Sequence, residues 1–265
     1  MATSRFTTRR RKLLRRLKRE SLPALLVTDE SNVSWLTGFS GDSSYLIVGH
    51  DLCVLVSDTR YTVQISEECP GLDVEIRDAR QPMHETVQRV VMTAGLARLG
   101  IENHSTSVAT WQQISDSLTS GAKSLELVPV GMLVNELRAT KDAGEIAEIR
   151  KAVTQAQRGF AAVKALLVPE MTELQVAHEL EHLMRQFGAV SAAFEPIVAV
   201  GPRAALPHAH PGPTRLAESG FVLIDWGART TSGYRSDLTR VLVTGKIPPR
   251  LEKIYHVVLA AQRRG

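Results

Sequence analysis

The stretch Val222-Leu-Ile-Asp-Trp-Gly-Ala-Arg-Thr-Thr-Ser-Gly-Tyr-Arg-Ser-Asp-Leu-Thr-Arg-Val-Leu-Val-Thr244 decides how this chain is read. Two apolar runs, residues 221–224 and 238–243, flank a polar Thr-Thr-Ser-Gly segment, and that pattern predicts a β-hairpin. Asp225 and Asp237 sit one in each half, with their midpoint at Thr231 inside the turn. Strands paired about Thr231 would set the carboxylates opposite each other, their Cβ atoms about 4.5–5.5 Å apart. Carboxylates that close repel, and one stays protonated unless a cation lies between them. A divalent ion, or two ions about 3.5–4 Å apart, removes the penalty and makes the pair a Lewis-acid site. The plain alternative is two solvated aspartates beside a turn, where Asp is common.

Upstream lies Gly201-Pro-Arg-Ala-Ala-Leu-Pro-His-Ala-His-Pro211. Leu206-Pro207-His208, Asp225-Trp226-Gly227-Ala228 and Ser236-Asp237-Leu238-Thr239-Arg240 follow one another within about 35 residues. Taken in that order they resemble the metallopeptidase family of Xaa-Pro aminopeptidases, prolidases and methionine aminopeptidases, whose catalytic domain is the pita-bread fold. A second resemblance covers the first half. Asn32-Val-Ser-Trp-Leu-Thr-Gly-Phe-Ser-Gly41 and Ser57-Asp-Thr-Arg-Tyr61 are similar to the amino-terminal domain shared by Xaa-Pro aminopeptidases, prolidases and creatinases. Methionine aminopeptidases usually lack that domain, so the resemblance points to the proline-directed branch.

Composition agrees with a folded two-domain chain. The 265 residues are long enough for two ordinary domains, and 43% hydrophobic against 23% charged content is that of a globular protein. No apolar run approaches the roughly 18–20 residues a membrane span needs. Cys53 and Cys69 make neither a disulfide framework nor a metal spacing, which favours a reducing, cytoplasmic setting. The net charge of +4 is unevenly placed: the first 20 residues hold nine Lys/Arg against one acid. These basic residues read as the solvated face of a first helix, with Leu13, Leu14 and Leu17 turned inward, rather than as a nucleic-acid or membrane patch.

Strand signals at residues 24–27, 44–48, 52–56, 74–76 and 98–102 alternate with a helix over about 83–94, predicting an α/β layer on a mixed sheet. Residues 132–141 then lead into a long amphipathic helix carrying Ile146, Ile149, Val153, Ala156, Phe160 and Val163, stopped by Pro169. Thr172-Glu-Leu-Gln175 matches a capping box, and Leu174, Ala177, Leu180, Met184 and Phe187 stripe the helix it opens. The expected class is α+β: an α/β mixed-sheet domain over residues 1–138, then a partial pita-bread domain over 139–265. A last helix begins at Pro248-Pro249 with Leu251, Ile254, Tyr255 and Val258 on one face. Nothing in the remaining sequence covers that face, so the catalytic half is expected to be incomplete.

The resemblance implies a two-metal hydrolase of Xaa-Pro peptides, in which two divalent ions bridge a water and polarise the scissile carbonyl. The family ligands are two aspartates, a histidine and two glutamates. Asp225 and Asp237 match the aspartates, and the other three lie downstream in the family. Hard oxygen donors with one imidazole suit manganese, cobalt, iron or zinc, manganese being favoured. His208 matches a family histidine that lies near the substrate and steadies the tetrahedral intermediate without binding metal. The resemblance further implies a peptide substrate with proline in second position, no nucleic acid or membrane partner, and a homodimer at full length. With three ligands absent, the chain as given is expected to be inactive. Two rivals share the architecture: a creatinase-type amidinohydrolase, which uses no metal, and a non-catalytic peptide- or histone-binding module.

Other residues read as structural. Trp35 is expected to pack on a sheet, and Arg60 to anchor a loop by a bidentate pair with a carboxylate. His178 and His182 lack the glutamate of a His-Glu-x-x-His zinc helix, and His210 reads as a variable residue at a cleft mouth. Family members commonly have one residue fewer between the aspartates. The added residue would turn Asp237 to the wrong face unless the turn absorbs it, and Gly233, able to take a positive φ, marks where it could.

Overall fold

The structure, a computed structural model, describes residues 4–78, 80–119, 125–243 and 246–265, and the chain divides into two compact units, residues 1–140 and 141–265.

The first unit is built on α1 (Arg5–Arg19), β1 (Ala24–Val27), α2 (Glu30–Thr37), β2 (Tyr45–Gly49), β3 (Leu52–Asp58), α3 (Thr62–Glu68) and β4 (Asp73–Arg77). It continues through α4 (Met83–Thr93), β5 (Arg98–Glu102), α5 (Val108–Thr119), β6 (Glu126–Val130) and α6 (Leu133–Ala139). The strands form one mixed sheet in the order β4-β3-β2-β1-β5-β6, antiparallel around β2 and parallel towards both edges. Every residue of β1 is buried because the sheet is covered on both faces. Leu25 and Val27 join Leu13, Leu17, Leu36 and Phe39 on one side, while Ala24 and Leu26 join Val87, Val91, Ile114 and Leu118 on the other. The basic first helix is amphipathic as read: Leu13 and Leu17 are buried, and each such leucine contributes about 1.5–3 kcal/mol.

Two polar anchors in this unit replace apolar packing. Asp58 is buried at the end of β3. Arg60 donates to it through Nε to Oδ1 at 2.9 Å and through Nη2 to Oδ2 at 2.8 Å, and Arg77 adds a bond to Oδ2 at 3.3 Å. Arg60 is therefore the loop anchor its sequence context suggests. Asn32, also buried, donates to Glu102 at 2.6 Å and accepts from Arg138 at 2.6 Å, which ties α6 back to α2. Trp35 is buried with the Arg9 guanidinium 4.7 Å over its ring, a packing role.

The second unit comprises α7 (Ala143–Leu166), α8 (Glu173–Gln186), β7 (Ser191–Ala192), β8 (Ile197–Val200), β9 (Phe221–Trp226), β10 (Ala228–Arg229), β11 (Leu238–Val243) and α9 (Pro249–Gln262). Residues 132–141 do not run straight into α7. Thr140 is extended, and α7 restarts with its own capping box of Asp142 and Glu145. The Thr172/Gln175 capping box opens α8 as the sequence predicts.

Strands β11, β9 and β8 form an antiparallel sheet, with β10 and β7 paired beside it. Val222, Ile224 and Trp226 alternate along β9 onto a core shared with α7 and α8. The apolar stripes drawn for those helices hold in part: Ala156 and Val163 of α7 and Ala177, Leu180 and Met184 of α8 are buried, but the first residue of each stripe is not. Ile146 is 42% exposed and Leu174 44%. Beside Ala156 and Val163, the buried line of α7 takes in Glu145, Ala152, Gln155 and Gly159, which the stripe leaves out. Close packing prefers the small residues: a Cβ on Gly159 would stand 2.6 Å from Met184 Cγ. No residue of α9 is buried, and Ile254, Tyr255, Val257 and Val258 are 49–63% exposed. No described helix is long and apolar enough to cross a membrane.

Candidate active site

The hairpin is present, but its register is not the one the midpoint of the aspartates suggests. Asp225 pairs with Thr239 and Trp226 with Leu238, so the strands fold about Ser232 rather than Thr231. The carboxylates are therefore diagonal neighbours instead of direct opposites. They still meet, because Asp237 directly precedes β11, two residues before Thr239 and so in phase with it, and the two carboxylates interact. The strands are joined by a three-residue loop, Thr231-Ser232-Gly233. Thr230 N–H bonds the Tyr234 carbonyl at 2.9 Å, Gly233 N–H bonds the Thr230 carbonyl at 3.0 Å, and Gly233 has φ 83°.

Helix α7 fixes the hairpin in place. The Trp226 indole donates to the Ala156 carbonyl at 3.0 Å and stacks on Phe160 with ring centroids 4.3 Å apart. The buried Ser236 hydroxyl donates to the Ala152 carbonyl at 3.1 Å and accepts from Ala228 N–H at 3.0 Å. Tyr234 donates to Glu145 at 2.9 Å, and Ser232 hydrogen-bonds Glu148. Gly227 is required here by close approach: a Cβ would lie 1.8 Å from the Ser236 carbonyl oxygen. The Asp-x-Gly-Ala and Ser-Asp pattern is in this way a packing pattern.

On the sheet face away from the helices, Asp225 is half-buried and Asp237 exposed. Burial raises the Asp225 carboxyl above its ordinary pKa, the negative charge of Asp237 raises it further, and the Thr239 hydroxyl pulls the other way. Asp225 Oδ1 is buried without a hydrogen-bond partner. Desolvation, a neighbouring like charge and an orphaned oxygen are all relieved by one hard cation, so the pair fits part of a divalent-metal site. It fits only part, because among the described residues no three His, Cys, Asp or Glu side chains are grouped to hold an ion.

His208 lies in the turn after a short 3₁₀ segment, Gly201–Ala205, and is exposed. Among the described residues no hydrogen bond joins its ring to either aspartate or to any other group, so the contacts do not bring it to the pair. His210 pairs with Glu195 at 3.0 Å. His178 and His182 are both exposed on α8, and His182 bonds Gln186 at 2.8 Å, away from any metal cluster.

The residue that sequence reasoning passes over is Glu173. It is fully buried, and its carboxylate accepts from Val200 N–H at 2.8 Å, Arg203 Nε at 3.0 and 3.1 Å and Gly212 N–H at 2.9 Å. Its place in the first turn of a helix is ordinary for an acid. The partners lie 27–39 positions away, so nothing in the local sequence marks it.

Comparison with known proteins places both parts of the chain in families. Residues 147–265 match metallopeptidase family M24, and residues 9–140 match the creatinase/prolidase N-terminal domain. An uncharacterized peptidase of Bacillus subtilis is 35% identical over 245 residues, which span 92% of this chain and 67% of the relative. An Xaa-Pro dipeptidase of Pyrococcus horikoshii is 28% identical over 256 residues, 96% of this chain and 69% of its own. Among solved structures, an Xaa-Pro dipeptidase from Bacillus anthracis superposes with a TM-score of 0.89 at 28% identity, covering 98% of this chain and 71% of that one. The prolidase of Pyrococcus horikoshii gives 0.84 at 28% identity, with 97% and 71% covered.

Proposed function

The chain belongs to metallopeptidase family M24, and from that premise we propose that its second unit is built to hydrolyse the bond ahead of proline in Xaa-Pro peptides. The observation that carries the reading is Asp225 Oδ1, buried without a partner beside the like charge of Asp237. Asp225 and Asp237 are the metal ligands, with Thr239 orienting Asp225 across the ladder. Two divalent ions supply, when bound, a Lewis acid and a water of lowered pKa. Manganese suits the hard oxygen donors, with cobalt, iron and zinc as competitors. His208 donates a hydrogen bond to the oxygen that becomes negative as the peptide carbonyl is attacked, a role worth about 10²–10³ in turnover for comparable donors.

Two carboxylates do not complete a two-ion site. We infer that the 265-residue chain alone holds divalent metal weakly and turns over Xaa-Pro peptide slowly or not at all. An active form is a homodimer by this reading, and the free thiols Cys53 and Cys69 suit a reducing cytoplasm.

The test is metal retention and Gly-Pro cleavage after equilibration with each of the four metals in turn. Asp225→Asn and Asp237→Asn should each remove retained metal and any turnover. His208→Ala should keep the metal and slow the turnover. Metal loss in His208→Ala would move that residue into the ligand set, and cleavage of creatine in place of Gly-Pro would favour the amidinohydrolase reading.

A further inference from the structure

We infer that Glu173 is a positioning residue that sets the place of His208 by clasping the two ends of the loop that carries it, an assignment that rests on the substrate role proposed for His208. The exposed His208 ring has no hydrogen-bond partner among the described residues, so its backbone alone determines where it stands. That backbone is a turn in which Leu206 N–H bonds the Arg203 carbonyl at 3.0 Å and Ala209 N–H bonds the Leu206 carbonyl at 3.3 Å. The ends of the segment, Val200 and Gly212, both donate to the buried carboxylate of Glu173, one to each oxygen.

Arg203 ties down the middle. Its Nε bonds both oxygens of Glu173, and its Nη2 donates to the His210 carbonyl at 2.7 Å. The first turn of α8 closes the same seam from the other side. Glu173 N–H bonds the Thr214 carbonyl at 2.9 Å and Leu174 N–H bonds the Gly212 carbonyl at 3.1 Å, so helix donors that normally face water hold the loop instead. One fully buried anion thus receives the start, middle and end of a segment whose only exposed imidazoles are His208 and His210. A side chain needed only for packing at this depth would be apolar, since burying a carboxylate costs far more than burying a leucine.

Glu173→Gln keeps the shape but offers one acceptor where three donors converge, and its amide nitrogen must face one of them. The chain itself carries the test, with the His208 imidazole resonance assigned through His208→Gln. In Glu173→Gln, exchange of the Val200, Leu206, Ala209 and Gly212 amides should accelerate roughly tenfold or more, the scale of leaving one buried donor unpaired. Amides of α7 and β9 should stay within about twofold, and the His208 resonance should move towards its position in unstructured peptide. Where Glu173→Gln does not fold, Arg203→Gln takes its place, and exchange should accelerate most at Leu206 and Ala209 with the same movement of His208. Unchanged loop exchange and an unmoved His208 signal in the folded variant would overturn the clasp. Adding Gly-Pro to the unsubstituted chain separates the two ideas. If the His208 resonance ignores the peptide while the clasp variants behave as expected, the substrate reading fails and the clasp stands.

Discussion

Asp58 and Asp225 are two aspartates at the ends of strands, one in each unit, and they are treated in opposite ways. Asp58 is buried deeper, yet the Arg60 fork beside it holds its carboxyl below the usual range, with Arg77 adding to the pull. Asp225 is less buried, yet burial and the charge of Asp237 push its carboxyl up, and one oxygen has no partner. Depth alone therefore does not decide which way a carboxyl is shifted. The difference lies in whether the fold supplies the counter-charge. Where it does, the group is an anchor; where it places a second anion instead, the carboxyl is pushed up, which is the basis for proposing a cation there.

The hairpin geometry offers the largest way to break this contrast. Gly227→Ala forces a Cβ into the Ser236 carbonyl, separates the strands that bring Asp225 to Asp237, and should cost about 2–4 kcal/mol of stability in denaturant unfolding. A loss below 0.5 kcal/mol would show that the approach of these strands is not tight. Asp58→Asn comes next. It removes the carboxylate charge that faces the Arg60 fork and should destabilise the first unit by about 1–2 kcal/mol, the exposure of Arg60 keeping the figure modest. Asp225→Asn in metal-free protein should be neutral or stabilising, because it removes a repulsion. Equal losses in the two variants would erase the distinction between them.

Acid titration sharpens the same contrast at smaller amplitude. Asp58 has a folded pKa below its unfolded value, so its contribution is full above about pH 4 and is lost as pH falls through the folded value. Asp225 has a folded pKa above its unfolded value, so its contribution is full below about pH 4 and is lost as pH rises through the folded value. Thermal midpoints from acid to neutral pH should show the Asp58→Asn deficit shrinking in acid. The Asp225→Asn advantage should grow towards neutrality, and a slope of the opposite sign for either would remove its assigned cause.

Much of the hairpin that carries the candidate site is legible in the sequence, because it announces itself by apolar runs around a polar turn, and Gly227 is demanded by backbone contact. The register is not legible. Period-two alternation permits pairing about Thr231 or Ser232, and the choice falls to the left-handed Gly233 with the Ser236 and Tyr234 ties to α7. The face of α7 is misread for a related reason. Hydrophobicity points rightly to Ala156 and Val163 but also to Ile146, while the tight seam against the hairpin and α8 adds Ala152 and Gly159. Glu173 is hidden because its partners are remote in the chain. A change of pattern marks a boundary near residue 138 in the sequence, and in the structure α6 ends at an extended Thr140. We propose that the first unit folds independently, so limited proteolysis near residues 139–144 should release it intact.

The central claim, that Asp225 and Asp237 together are a cation site and Asp58 is not, is most directly tested by paramagnetic relaxation with manganese. Backbone resonances of Ile224, Trp226, Gly227 and Thr239 should broaden at substoichiometric metal while those around Asp58 stay sharp, and the effect should vanish in Asp225→Asn. Broadening that survives Asp225→Asn, or that centres on any other carboxylates, would contradict the account.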